Sequence, residues 1–156
     1  MKNIKNIVVP FVSIFFLASF SLALAGSDIE VDDNGIILAG HDAVAYFTEN
    51  MAVEGNKDFT SVYQGAIYRF KSAENRDTFN LQPAKYAPQF GGFCALGAAY
   101  GKKFEIDGKA FKVVNGKLYV NKNVDVAETW VEDEAQYIAD ADSKWNDIKS
   151  VPATDL

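Results

Sequence analysis

The sequence predicts a small single-domain α+β protein in which short antiparallel β-hairpins pack against helices. Two turn-forming dipeptides are the first observation. Gln64-Gly65 separates two β-prone runs in SVYQGAIYRF, and Asn115-Gly116 separates two more in FKVVNGKLYV. The second dipeptide supplies the two positive-φ positions of a type I′ turn. An apolar stripe at near-helical spacing towards the carboxyl end indicates that helices cover the hairpins.

The first 25 residues have the pattern of a cleaved export signal. Lys2 and Lys5 form a basic start, residues 7–24 are mostly apolar, and Ala23-Leu24-Ala25 is a small-x-small cleavage site. The alternative is an uncleaved membrane anchor, since the apolar stretch nearly reaches the length of a bilayer span. We expect cleavage, and hence a periplasmic or secreted protein that begins at Gly26.

Four segments follow from this pattern. They are the signal peptide (1–25), an acidic and turn-rich segment expected to lie loosely on the surface (26–35), the folded domain (36–148) and a short tail (149–156).

The net charge is −6, and it becomes −8 once the two signal-peptide lysines are lost. An acidic chain without a basic cluster is a poor partner for nucleic acid or anionic membranes, so we expect neither after signal cleavage.

Local signals place the elements of the domain. The polar run NMAVEGNKDFT is expected to form turns, and the strand after Gln64-Gly65 should bury Ala66, Tyr68 and Phe70 on one face. Ser72 is an N-cap for a helix that runs to about Leu81 and ends before a proline.

Two more helical regions complete the domain. One should begin near Phe93 and stop at Gly101. Asn123 can cap a longer region, with a break between Glu132 and Glu134. Its apolar stripe should dock on the sheet and consists of Val126, Trp130, Tyr137, Ala141 and Trp145.

Few residues can carry chemistry. The chain has no CxxC pair, HExxH, P-loop or GxGxxG, and no GxSxG elbow accompanies the single histidine. Catalytic residues are therefore unassigned, and the chain has few parts for an enzyme. What remains is His41, inside Gly40-His41-Asp42, and the single cysteine, Cys94, which follows two glycines.

His41 and Cys94 are the candidate metal ligands. At a helix start, orphan N–H groups and the helix dipole would lower the pKa of the Cys94 thiol. A thiolate with an imidazole suits Cu(I), whereas zinc fits less well because it takes four ligands. Met51 is a candidate third soft ligand. The same pair could instead form a nucleophilic Cys–His unit, or Cys94 could be a packed hydrophobe and His41 a structural hydrogen-bonding group.

Several separated motifs resemble one family. GHDAVAYF, then YQGAIYRFKSAENRDTFNLQPAKYAPQFGGFCALG, then VVNGKLYVN and a tryptophan-bearing C-terminal helix are similar to the exported YHS-domain-containing proteins of bacteria. The resemblance runs from Ile36 to Trp145. In that group the first motif usually begins Gly-Tyr or Gly-His, and here it falls on Gly40, His41, Asp42, Ala45, Tyr46 and Phe47.

The resemblance implies a YHS-like fold, export and a link to metals. The wider family includes metal-binding modules attached to copper- and heavy-metal-transporting ATPases, which carry cysteines in a frame resembling FCS…C. This chain has Lys71 and Asn75 at the corresponding places, so that cysteine set is absent. The resemblance leaves His41 and Cys94 as the exported branch's own pair.

Three functions are open at this point. The first is a small exported metal-binding protein, with copper as the favoured metal, acting as a carrier or accessory module. Its partners would be the metal ion, a periplasmic protein, or a second copy that pairs its own Cys94. The second is a non-catalytic protein-interaction or small-ligand module in which Cys94 only packs. The third is a Cys–His enzyme, which needs the two side chains within hydrogen-bond reach.

Overall fold

Two antiparallel hairpins and six α-helices organise residues 28–156, the part of the chain that the computed structural model describes. The predicted signal peptide lies outside the described residues. The strands are β1 (Asn56–Tyr63), β2 (Ala66–Phe70), β3 (Asp107–Val114) and β4 (Lys117–Asn121). The helices are α1 (Ala45–Thr48), α2 (Ala73–Leu81), α3 (Pro83–Tyr86), α4 (Ala95–Ala99), α5 (Val124–Glu132) and α6 (Glu134–Ile148). The predicted α+β class is confirmed.

Both predicted hairpins form, each as a separate two-stranded sheet. Gln64 and Gly65 have φ angles of 50° and 84°, and Asn115 and Gly116 have φ angles of 51° and 72°. These are the positive-φ pairs that a type I′ turn requires. Strand β1 begins earlier than the polar sequence suggests, because Asn56 pairs with Phe70 across an irregularity in the register.

One core cluster lies between the two hairpins. Ala66, Tyr68 and Phe70 are buried on one face of β2, as their alternation predicts. Leu118 and Val120 of β4 belong to the same cluster. The core therefore joins the two sheets, although no strand ladder connects them within the described residues.

Side-chain caps start two of the helices where the sequence predicts. Ser72 accepts a hydrogen bond from the backbone N–H of Asn75 at the start of α2, and Asn123 accepts one from Val126 at the start of α5. After α2, the proline at position 83 opens the short helix α3 rather than a loop, since proline is well suited to a first helical turn.

The C-terminal helices break at Asp133, whose φ of −144° interrupts the helix between α5 and α6. Trp130 and Ala141 from the predicted stripe are buried in a second core cluster, together with residues of α4. The stripe was expected to dock on the sheet, but α5 packs on β3 and β4 while α6 packs chiefly on α4. The small side chains of α4 allow this close helix–helix contact.

Residues 28–36, which we call the N-terminal strap, are packed onto the body. The expectation of a loose surface segment is wrong for this part. The Glu30 N–H donates to the Gly91 carbonyl at 2.9 Å, and Ile36 forms a parallel bridge with Ile67. Gly91 is required there, because a Cβ on it would lie 1.9 Å from the Asp28 carbonyl oxygen.

The end of the chain is a short segment with one 3-10 turn, Ala153–Asp155. Within residues 28–156, no helix has both the length and the apolar character needed to cross a membrane.

Candidate functional site

His41 follows a left-handed turn. Leu38, Ala39 and Gly40 have φ angles of 58°, 50° and 79°. The first two are not glycine, so this conformation costs each about 1 kcal/mol or more. The turn brings the Leu38 carbonyl to 3.1 Å from His41 Nδ1. The imidazole is held by its own loop, and it is only 8% exposed.

The His41 ring has one nitrogen in use and one without a partner. A carbonyl oxygen can only accept, so Nδ1 carries the proton that is donated to Leu38. In the neutral ring, Nε2 therefore carries the lone pair. This atom is buried and has no hydrogen-bond partner, which leaves it available as a ligand atom.

Gly108, the second residue of strand β3, packs against the His41 ring. A Cβ placed on Gly108 would lie 2.3 Å from His41 Nδ1, so the ring needs a glycine at this position. The Tyr46 hydroxyl donates to the Gly108 carbonyl at 2.7 Å and fixes the strand there. The ring orientation is thus set from both sides.

Cys94 also follows a left-handed turn. Phe90, Gly91 and Gly92 have φ angles of 53°, 61° and 85°. Cys94 is then the N-cap of α4, close to the predicted helix start near Phe93, and its Sγ accepts from the Gly97 N–H at 3.4 Å. The side chain is 1% exposed.

The expected lowering of the Cys94 pKa is wrong. Burial raises the pKa of the thiol, and this outweighs the backbone N–H groups of Gly97, Lys122 and Leu96, which act in the opposite direction. A helix as short as α4 adds little dipole to offset the loss of hydration. The thiol is therefore neutral in the metal-free protein.

Asn121 is a buried neighbour of Cys94 that sequence reasoning missed. Its Oδ1 accepts from the Leu96 N–H at 3.1 Å and lies 3.5 Å from Cys94 Sγ. This fixes the amide orientation, and its Nδ2 is left buried without a partner. The only signal in the sequence is a polar residue at the end of the apolar run LYV.

The His41 and Cys94 loops meet at the open end of the β3–β4 hairpin. Ile37, in the first loop, lies against Gly92 in the second, where a Cβ would be 3.3 Å from the isoleucine side chain. His41 packs on Gly108, while the adjacent residue Asp107 pairs with Asn121 beside the thiol. Both candidate ligands thus border the same end of one hairpin.

No hydrogen bond joins the two side chains. His41 Nδ1 is bonded to Leu38, its Nε2 has no partner, and the Cys94 thiol contacts Asn121. The nucleophilic Cys–His unit is therefore not formed. Across residues 28–156, no group of three or more His, Cys, Asp or Glu side chains is placed to hold a metal ion. Met51, the candidate third soft ligand, is 58% exposed, whereas His41 and Cys94 are buried.

Asp42, next to His41, is a structural hub. Its Oδ1 accepts from the N–H groups of Val44 and Ala45 at 2.8 and 3.2 Å, and its Oδ2 accepts from the Lys71 N–H at 2.9 Å and the Asn75 amide at 2.7 Å. Lys71 and Asn75 stand where the resemblance places cysteines in metal-binding relatives. Here those positions are bonded to a buried carboxylate instead.

The molecule is thus a small α+β domain that holds a buried imidazole and a buried thiol after two left-handed turns. Residues 44–90 match the family model of the YHS domain. No curated protein and no solved structure matches the chain. His41 and Cys94 lie just outside the matched range, one on each side, whereas Lys71 and Asn75 lie within it.

Proposed function

We propose that this chain is an exported metal-handling protein of the YHS type, a carrier or accessory module that binds Cu(I) through His41 and Cys94. One observation carries the proposal. The buried His41 imidazole donates Nδ1–H to its own loop and leaves Nε2 without a partner. Metal-ligating histidines are oriented in this way, by a backbone carbonyl on the other ring nitrogen.

The sulfur of Cys94 supplies the soft donor. Its thiol is neutral in the metal-free state, so binding releases a proton and replaces the contact with Asn121. Uptake should therefore strengthen as the pH rises, since the competing proton becomes scarcer. This dependence is part of the proposal.

Copper(I) fits this donor set better than zinc. A soft thiolate and an imidazole suit Cu(I), whereas zinc sites in proteins are built from three or four protein ligands. Within residues 28–156 no third His, Cys, Asp or Glu joins a possible metal site. A second copy of the chain could complete a site by supplying its own Cys94, which would make the carrier a homodimer.

Export is part of the same proposal. It rests on the basic start, the apolar stretch and the small-x-small site of residues 1–25. In the periplasm, or outside the cell, the carrier would exchange its ion with a protein partner. The mass of the protein recovered from a bacterial periplasm tests this, and a first residue other than Gly26 contradicts the predicted cleavage.

Competition for Cu(I) tests the metal site. The reduced protein is titrated against a Cu(I) chelator beside Cys94→Ser and His41→Tyr. Serine keeps an N-cap oxygen for α4, and tyrosine is the alternative residue that the resemblance gives at position 41. Each variant should bind at least 100-fold more weakly, since loss of an outer partner alone costs about 10–100-fold.

Met51→Leu is the matched control, because it removes an exposed sulfur and should leave the affinity unchanged. Loss in Cys94→Ser alone would remove His41 from the site and favour a thiolate shared between two copies. Stoichiometric binding that survives both variants would refute the proposed ligand pair.

A specific observation favours a second function, a non-catalytic interaction or small-ligand module. Cys94 is buried and its sulfur caps helix α4, as expected of a structural residue. In that case the chelator retains all of the Cu(I), and the thiol of the folded protein resists labelling by a thiol reagent.

A further inference from the structure

A cavity of about 800 Å³ lies between the N-terminal strap and the segment of residues 103–106. This volume falls within the range of about 300–1,000 Å³ typical of small-molecule sites. Apolar side chains form much of its wall, and they are Ile29, Ile36, Phe93, Phe104 and Ile106. The apolar body of a ligand can therefore pack against this wall.

The charged side chains around the cavity are mostly acidic. Glu30, Asp32, Asp33 and Glu105 line it together with a single cation, Lys103. The Lys103 ammonium donates to the Lys149 carbonyl at 3.1 Å and lies 5.0 Å from the Phe93 ring centre. The lining therefore carries a net negative charge beside an apolar surface.

These carboxylates are not arranged as metal ligands. Within residues 28–156, no three acidic, histidine or cysteine side chains converge on a point that an ion could occupy. The cavity is also far larger than one ion. A ligand that matches it must carry its positive charge on an extended, partly apolar body.

We propose that this cavity binds a small organic cation, an amine with an aromatic or alkyl body. The amine would lie among the carboxylates, and its body would pack against Phe93 and Phe104. The inference goes beyond metal handling and does not depend on His41 or Cys94.

Glu30 supports the choice of a cation. Burial raises the pKa of Glu30 to about 7, with further contributions from Glu105 and Asp32. Asp33 and Lys103 are the other charged groups on the cavity wall. A bound ammonium favours the ionised carboxylate. Affinity should rise about tenfold between pH 6 and pH 8, because the ionised fraction of a group with a pKa near 7 rises by that factor.

The test compares two probes of equal shape, 2-phenylethylamine and 2-phenylethanol, by amide NMR shifts of the purified protein. The amine should shift the amides of residues 29–36 and 103–106 saturably, and the alcohol should bind at least tenfold more weakly. Glu30→Gln should weaken the amine about tenfold at pH 8 and remove its pH dependence. Glu132→Gln, on the exposed end of α5, makes the same charge change away from the cavity and should have no effect.

Glu105→Gln provides a second variant in case Glu30→Gln perturbs the fold, since the Glu105 side chain is exposed. It should also weaken amine binding. Equal affinity for amine and alcohol, or shifts confined to residues away from the cavity, would overturn the proposal. So would the absence of any saturable shift up to the solubility limit of the amine.

Discussion

At the scale of single residues, burial decides the protonation of Glu30 and Cys94. The pKa of the Glu30 carboxyl rises to about 7, and that of the Cys94 thiol also rises. Both groups are neutral over part of the ordinary pH range, because leaving water disfavours the charged form. Their proton equilibria are therefore linked to folding and to binding.

Stability should fall as the pH rises from about 5 to about 7 through Glu30. The folded state holds the carboxyl proton more tightly than the unfolded state, so folding loses this contribution once the pH passes the folded pKa of about 7. We expect a loss of about 1–2 kcal/mol, after allowing for screening by solvent at this partly exposed side chain.

Urea unfolding at pH 5 and pH 8 measures this effect. Glu30→Gln should lose that part of the pH dependence and be the more stable protein at pH 8. The matched change Glu132→Gln should behave as the wild type does. Parallel pH profiles for wild type and Glu30→Gln would contradict the assignment.

The two site candidates were found because each is the single residue of its type. The residues that hold them were not, since Gly108 and Asn121 are ordinary in sequence and gain their roles only when β3 and β4 meet the two loops. The pKa of Cys94 was predicted in the wrong direction for a related reason. Sequence shows a helix start, but it does not show how deeply the start is buried.

At the scale of elements, short-range signals predicted well. The turn pairs Gln64-Gly65 and Asn115-Gly116 and the caps Ser72 and Asn123 all act where the sequence placed them. Each depends on a few neighbouring residues, so no tertiary information is needed.

Elements that depend on distant partners were predicted less well. The polar start of β1 forms a strand only because β2 lies beside it, and the strap is held by backbone groups around Gly91. Helix α6 docks on α4 rather than on the sheet, which periodicity alone could not distinguish.

Asp42 joins three elements and should be essential for stability. Its carboxylate bonds the start of α1, the Lys71 backbone at the end of β2, and the Asn75 side chain in α2. In Asp42→Asn an NH₂ group replaces one of the two accepting oxygens. The two N–H groups that donated to that oxygen would then face a third donor. We expect a loss of about 2–4 kcal/mol in the free energy of unfolding.

Chemical denaturation measures this loss, with Asp147→Asn as the control. Asp147 lies exposed on α6, so its substitution should change the stability by no more than about 0.5 kcal/mol. A loss below about 1 kcal/mol for Asp42→Asn would show that the hub is dispensable.

At the scale of the whole molecule, the candidate metal site lies outside the matched YHS segment. Residues 44–90 contain α1, β1, β2, α2 and α3, together with the Asp42 partners Lys71 and Asn75. His41 comes before this segment and Cys94 after it. Any metal site made by this pair depends on β3 and β4, against which both loops pack, rather than on the family segment alone.

X-ray absorption at the copper edge, on protein loaded with one equivalent of Cu(I), shows which atoms bind the metal. We expect one sulfur and one imidazole nitrogen around the ion, with the imidazole signal lost in His41→Tyr. Scattering from two sulfur atoms without imidazole, or from nitrogen and oxygen atoms alone, would contradict a site made by His41 and Cys94.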